Sequence, residues 1–196
     1  MTKSNSSTKT LVTLSLIIAI EIMLVITNLG FIMVPPVSIT ILHIPVIVGA
    51  IIMGPKYGAI LGGAFGVLSL LNATFRGVSP VDLAFSPFLS GSPISSIIMC
   101  IGCRVLLGFI AGLLYKLLSR KNKTVAAIVS SFVATLIHTA TVMACLWLLF
   151  PDFGMTFKTV LETILALNFL IEASLAVIFA LAFARIIPIL ISHYKK

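Results

Sequence analysis

The chain has 196 residues, of which 60% are hydrophobic and 9% charged, with a formal net charge of +8. A soluble domain carries about 25% charged residues, and a mean hydropathy of +1.24 excludes one here. The basic balance does not make a nucleic-acid patch, because the Lys and Arg residues fall between apolar runs and act as topology signals.

Taken in order, Met1–Thr10 is a polar tail carrying Lys3 and Lys9. Leu11–Leu29 is the first span. It is too long for a signal-peptide core, carries Glu21 and lacks a small-x-small cleavage site, so it is kept as a membrane helix. Gly30–Thr40 holds Pro35-Pro36 and reads as an irregular but apolar loop. Ile41–Met53 is the second helix, only about 20 Å long at 1.5 Å per residue. It must therefore tilt, be extended by the preceding loop, or meet thin lipid.

The corner Gly54-Pro55-Lys56 leads into a third span, Lys56–Phe75. Gly54, Gly58, Gly62 and Gly66 recur every four residues and, from Tyr57 onward, stack along one helix face. In a soluble helix each would cost about 1 kcal/mol against alanine. A glycine row in lipid instead lets a second backbone come close, so it marks the packed centre and names no chemistry. Arg76–Pro93, the longest connection, contains Pro80, Pro87 and Pro93 but is too apolar for a free linker, and is expected to pack as a lid. Ile94–Leu118, Thr124–Phe150 and Phe157–Ile187 complete the spans.

The fold class is all-α: a single polytopic domain, a bundle of six transmembrane helices. With six spans both termini share a side, and that side collects ten basic residues from Lys3 through Lys56, Lys116 and Lys121 to Lys196. The other side has Arg76 and Lys158, offset by Asp82 and Asp152. The positive-inside rule then makes both termini cytoplasmic and turns the proline-bearing loops outward.

Ionisable groups inside spans are expensive and mark function by default. Those singled out here are Glu21, Arg104, His138 and Glu172, with Asn72 and Asn168 as uncharged companions and Arg76 at the entrance. Cys100, Arg104, Gly108 and Gly112 form one four-residue row, so Arg104 points where its helix packs. Ser130, Ala134, His138, Thr141 and Cys145 form a second row, and Asn168, Glu172, Ala176, Ala180 and Ala184 a third. Counted from the outer helix ends, Arg104, His138 and Asn168 all lie about 15 Å deep, so they can share one level near the midplane. Arg104 either holds a ligand or pairs with Glu172 or Glu21, since a buried guanidinium needs an acceptor. His138 alone is as well explained by hydrogen-bonded packing.

Other chemistries lack their motifs. GxxxxGK[ST] is missing, so no nucleotide motor lies within the chain, and neither HExxH nor Cys/His metal spacing occurs. No cofactor or metal is expected. Cys100-Ile-Gly-Cys103 has redox-motif spacing without the βαβ context, and these two cysteines with Cys145 read as buried packing residues. Ser92 and His138 admit an intramembrane enzyme only as a rival, since Gly-x-Ser-x-Gly is missing and Ser92 lies in a loop. A self-sufficient carrier would show inverted repeats, and none is convincing.

The stretch Thr40-Ile-Leu-His-Ile-Pro-Val-Ile-Val-Gly-Ala-Ile-Ile-Met-Gly-Pro, followed by Gly-Ala-Ile-Leu-Gly, resembles the substrate-binding S component of energy-coupling factor (ECF) vitamin transporters. Phe85-Ser-Pro-Phe and Arg104-Val-Leu-Leu-Gly are similar to the subgroup that handles pantothenate. Cys103 departs from that pattern, where proline often precedes the arginine. The resemblance implies that the chain is not an enzyme. It implies a vitamin bound from outside, with a membrane coupling subunit and two ATPase subunits supplying energy. It also implies docking through the first helix, where only Ser15-xxx-Ala19 is offered, and through the smooth face at Gly58 and Gly62, in a step that topples the subunit in the bilayer. Riboflavin or folate would want a broader aromatic cage than a chain with one tryptophan, Trp147, provides. Pantothenate's carboxylate, amide and hydroxyls suit one arginine and a few Asn or His donors.

Overall fold

In the computed structural model the glycine row meets a second helix directly. The structure describes residues 3–34, 37–77, 80–151, 158, 170–172, 174–176 and 178–179. Helix α1 spans Lys3–Ile26, α2 His43–Met53 and α3 Pro55–Arg76. A short α4, Pro80–Ala84, and α5, Pro93–Ile97, lead through a π turn at Ile98–Gly102 into α6, Cys103–Leu118; α7 spans Lys123–Leu149. A Cβ at Gly58 would strike the Gly108 carbonyl, one at Gly62 the Arg104 carbonyl, and one at Gly66 would sit 2.8 Å from the Cys100 carbonyl oxygen. On the other side a Cβ at Gly112 would lie 2.7 Å from Pro55 Cα. Both four-residue rows are thus the two halves of one backbone-to-backbone seam.

The seam occupies two of the residues expected at the docking face. Gly58 and Gly62 are buried against α6 and offer no surface to a partner, whereas Ser15 and Ala19 lie exposed on α1. Close approach to one helix uses up the smoothness that suggested docking to another.

The corner before α3 is made by Gly54, whose φ of +95° only glycine adopts without strain. Pro55 follows at the first helical turn, where its missing N–H costs nothing. After α1 ends at Ile26, Asn28 turns the chain (φ +60°) and Gly30 N donates to Leu24 O at 2.8 Å. Asn122 caps α7 by accepting from Thr124 N (2.9 Å) and Val125 N (3.2 Å). The core knits the elements together through Val46, Leu61, Phe65, Leu107 and Ala134.

The Gly30–Thr40 segment is more regular than its prolines suggested. β1, Phe31–Val34, pairs antiparallel with β2, Val37–Thr40, in the register Phe31↔Thr40 through Val34↔Val37. The class is helical with this one ribbon added. Val, Ile and Thr favour extended backbone, which suits both strands.

The lid expectation agrees with the packing. Thr74 Oγ1 and Ser86 Oγ lie 2.9 Å apart, Ser96 Oγ donates to Ala84 O at 2.7 Å, and Cys100 Sγ donates to Phe85 O at 3.2 Å. The connection is therefore strapped across the ends of α3 and the fourth span. Among the described residues four helices are long and apolar enough to cross a membrane: Thr8–Ile26, Pro55–Arg76, Pro93–Leu118 and Lys123–Leu149. The expected sixth span lies mostly outside the described residues, although 170–172 and 174–176 are helical. α1 turns Leu11, Val12, Leu16, Ile20 and Met23 outward and buries Ile17 and Glu21, as a helix against lipid does.

Candidate functional site

One face of α3 sets the site. Phe65, Ser69, Asn72 and Arg76 are separated by four, three and four residues, which puts them on one side of the helix. Ser69, Asn72 and Arg76 line a cavity of about 830 Å³, within the size range of small-ligand sites. α6 adds Arg104, α7 adds His138, Thr139, Val142, Met143 and Leu146, and Glu172 enters from the later helical segment. Thr27 and Asn28 at the end of α1, Phe31 and Thr40 of the ribbon, and Asp82 and Phe85 of the lid close the rim.

Arg104 is 5% exposed. Its guanidinium lies between two rings, with the central carbon 5.2 Å from the Phe65 centroid and 4.9 Å from that of Phe85. Nη1 donates to Met99 O at 3.1 Å and Nη2 to Ser69 Oγ at 3.2 Å. The Met99 carbonyl belongs to the π turn, a local widening of the helix that often accompanies functional sites. A guanidinium has five N–H donors, so donors remain after these two bonds, on a group whose plane and direction are fixed.

No carboxylate among the described residues meets this cation as an ion pair. Glu172 is equally buried, but its Oε1 accepts from Thr40 N (3.3 Å) and its Oε2 from Thr139 Oγ1 (3.4 Å). Glu21 is fully buried with neither oxygen hydrogen-bonded, and it does not line the cavity. Of the two fates open to Arg104, the paired one is not the arrangement found. The cavity has a donor pole at Arg104 and an acceptor pole at Glu172.

His138 is buried on the same wall, its ring centroid 6.3 Å from that of Phe65 at 51°. Its Nδ1 lies 3.4 Å from Cys103 O. A carbonyl can only accept, so the proton is assigned to Nδ1, which leaves Nε2 as an acceptor. Arg76 is exposed and already engaged: Nη1 donates to Val25 O (3.0 Å) and to Asn28 Oδ1 (2.6 Å). It ties the end of α3 to the end of α1 at the rim, consistent with a place at the entrance. Asn72 is half-buried one turn further in. Asn168 lies outside the described residues.

The row on α7 is rotated from the expected one. His138 faces the cavity, but its companions there are Thr139, Val142, Met143 and Leu146 rather than Thr141 and Cys145. Thr141 spends its hydroxyl on the Ile137 carbonyl of its own helix. Ser92 precedes α5, donates its backbone N–H to Ser90 Oγ at 3.2 Å and is not among the cavity residues, so it forms no pair with His138. Sequence reasoning passed over Phe65, Ser69, Phe85, Thr40 and Thr139. The first two carried a signal, since they extend the Asn72–Arg76 spacing down one face.

Apolar, membrane-length helices around a cavity lined by a buried cation and a buried carboxylate suit a protein that binds a solute. The chain belongs to the family described as "ECF transporter, substrate-specific component", which matches residues 9–191. It is 36% identical over 157 residues to the pantothenic acid transporter PanT of Lactococcus lactis subsp. cremoris (strain MG1363), covering 75% of this chain and 76% of that protein.

Proposed function

We propose that this chain captures pantothenate from outside the cell and delivers it by docking on a membrane coupling subunit driven by two ATPase subunits. The observation that carries the ligand is the Arg104 guanidinium, buried, held between Phe65 and Phe85, and facing the cavity without a carboxylate partner among the described residues. A buried cation left in that state is costly. A ligand carboxylate offsets the cost through a planar two-point contact that lysine cannot make. The acceptor pole at Glu172 then faces the end that bears hydroxyl donors, and His138 Nε2 and Asn72 are within the same space. The 36% identity to a pantothenic acid transporter supports the same choice. Small molecules released by heating the purified subunit should include pantothenate, identified by mass spectrometry. Riboflavin or folate in its place would reassign the site.

The membrane arrangement in this reading is six spans in the cell membrane with both termini cytoplasmic. In a background without native thiols, a cysteine placed near Lys121 should react with an impermeant reagent only from the cytoplasmic side. One near Asp82 should react only from outside, and the reverse pattern would invert the cavity and end its role in capture.

Docking falls to the exposed face of α1. Ser15→Leu and Ala19→Leu should abolish copurification with the coupling subunit while the isolated variants bind vitamin as the parent does, because neither residue lines the cavity. Normal assembly and uptake by both variants would place the docking face elsewhere.

A further inference from the structure

We propose that Cys103 and Cys145 form an oxidisable dithiol that cross-links α6 to α7 beside the cavity. Their sulfurs lie 3.7 Å apart although the residues are 42 positions apart in the chain. That separation is close to the distance from which aligned reacting atoms proceed to a bond. Cys100, the partner suggested by the Cys-x-x-Cys spacing, instead donates its thiol to Phe85 O.

The surroundings favour a reaction that begins at Cys145. Cys103 is buried, whereas Cys145 is half-buried and lies four residues from Leu149, the last residue of α7. That is about 6 Å from the helix end at 1.5 Å per residue, within reach of a small reagent. Cys103 packs in an apolar cluster with Val142, Met143 and Leu146, against which Cys145 rests, and those three also line the cavity. The Cys103 carbonyl faces the His138 ring, and Arg104 is the next residue. A bond here would staple the wall carrying His138 to the base of Arg104.

The chemistry needs a small disulfide as oxidant. The Cys145 thiolate attacks one sulfur of the reagent and expels the other half as a thiolate, which takes up the proton that Cys145 gave up. Cys103 then attacks the Cys145 sulfur, loses its own proton, and expels the second half as a thiol. Two electrons pass from the protein to the reagent, and one S–S bond replaces another.

The test uses the full chain purified in detergent and treated with 4,4′-dithiodipyridine. About two equivalents of thiopyridone should be released, with no pyridyl group retained, because the second thiol displaces it. Intact mass should fall by about 2 Da, and peptide mapping should join Cys103 to Cys145. Cys103→Ser should release about one equivalent and keep a pyridyl adduct on Cys145. A parent protein that keeps an adduct on Cys145, or whose thiols do not react, overturns the proposal. The readout involves neither vitamin nor coupling subunit, so its failure would leave the transport reading untouched.

Discussion

Gly62→Ala is expected to destabilise the protein by about 3 kcal/mol or more, the upper range for overpacking a close-packed interior. The same change one residue later should be harmless. A Cβ at Gly62 would overlap the Arg104 carbonyl and sit 3.0 Å from Val105 Cα, both backbone positions that move only if α3 and α6 separate. At Gly63 the nearest atom is the tip of Val105, Cγ2 at 3.7 Å, an ordinary contact. There alanine should be neutral or slightly stabilising, since it is the better helix former. Thermal unfolding of the two variants in one detergent decides the matter. Equal midpoints would show that the seam is looser than drawn. Because Arg104 stands on the other half of the seam, Gly62→Ala should also weaken ligand binding, and Gly63→Ala should not.

The second large effect is at Arg104 itself. Arg104→Lys keeps the charge but loses the fork, the two-ring stack, and the paired contacts to Met99 O and Ser69 Oγ. Affinity for a carboxylate ligand should fall by about 1.5–3 kcal/mol, the value of a hydrogen bond to a charged group. Arg104→Met removes the cation while keeping apolar bulk. It should abolish measurable binding yet leave the fold as stable or more so, because a buried charge without an ion pair among the described residues is gone. Calorimetric titration read alongside thermal unfolding separates these outcomes. Unchanged affinity in Arg104→Lys would mean that the guanidinium serves packing alone.

What the sequence could reveal follows the reach of each signal. Four-residue spacing fixes a helix face, so the glycine row and the Cys100–Gly112 row were both legible, and each found its partner in the other. The same periodicity placed Arg104 on an interior face and His138 at its level, and both now share one cavity. Periodicity does not say which neighbour a face meets. Gly58 and Gly62 therefore suggested an outer docking surface, although the nearest backbone was α6. The row through Thr141 and Cys145 drifted off the cavity because nearly every residue of α7 around His138 is small, apolar or hydroxylated, which leaves its facing ambiguous. Phe85 could not be placed above Arg104, since the lid contact spans a proline-rich connection with no period to extrapolate. The ribbon at Phe31–Thr40 was hidden by its prolines, which as readily break structure as bound a turn.

The central claim, a carboxylate ligand held by Arg104, is tested most directly by titrating the purified subunit with pantothenate and with pantothenol, which carries a hydroxyl where pantothenate has its carboxylate. Pantothenate should bind at least about tenfold more tightly than pantothenol, from the loss of one charge-assisted pair. The gap should narrow in Arg104→Lys, which keeps the charge but loses the two-point contact. Equal affinity of the parent protein for both compounds would contradict the anchor.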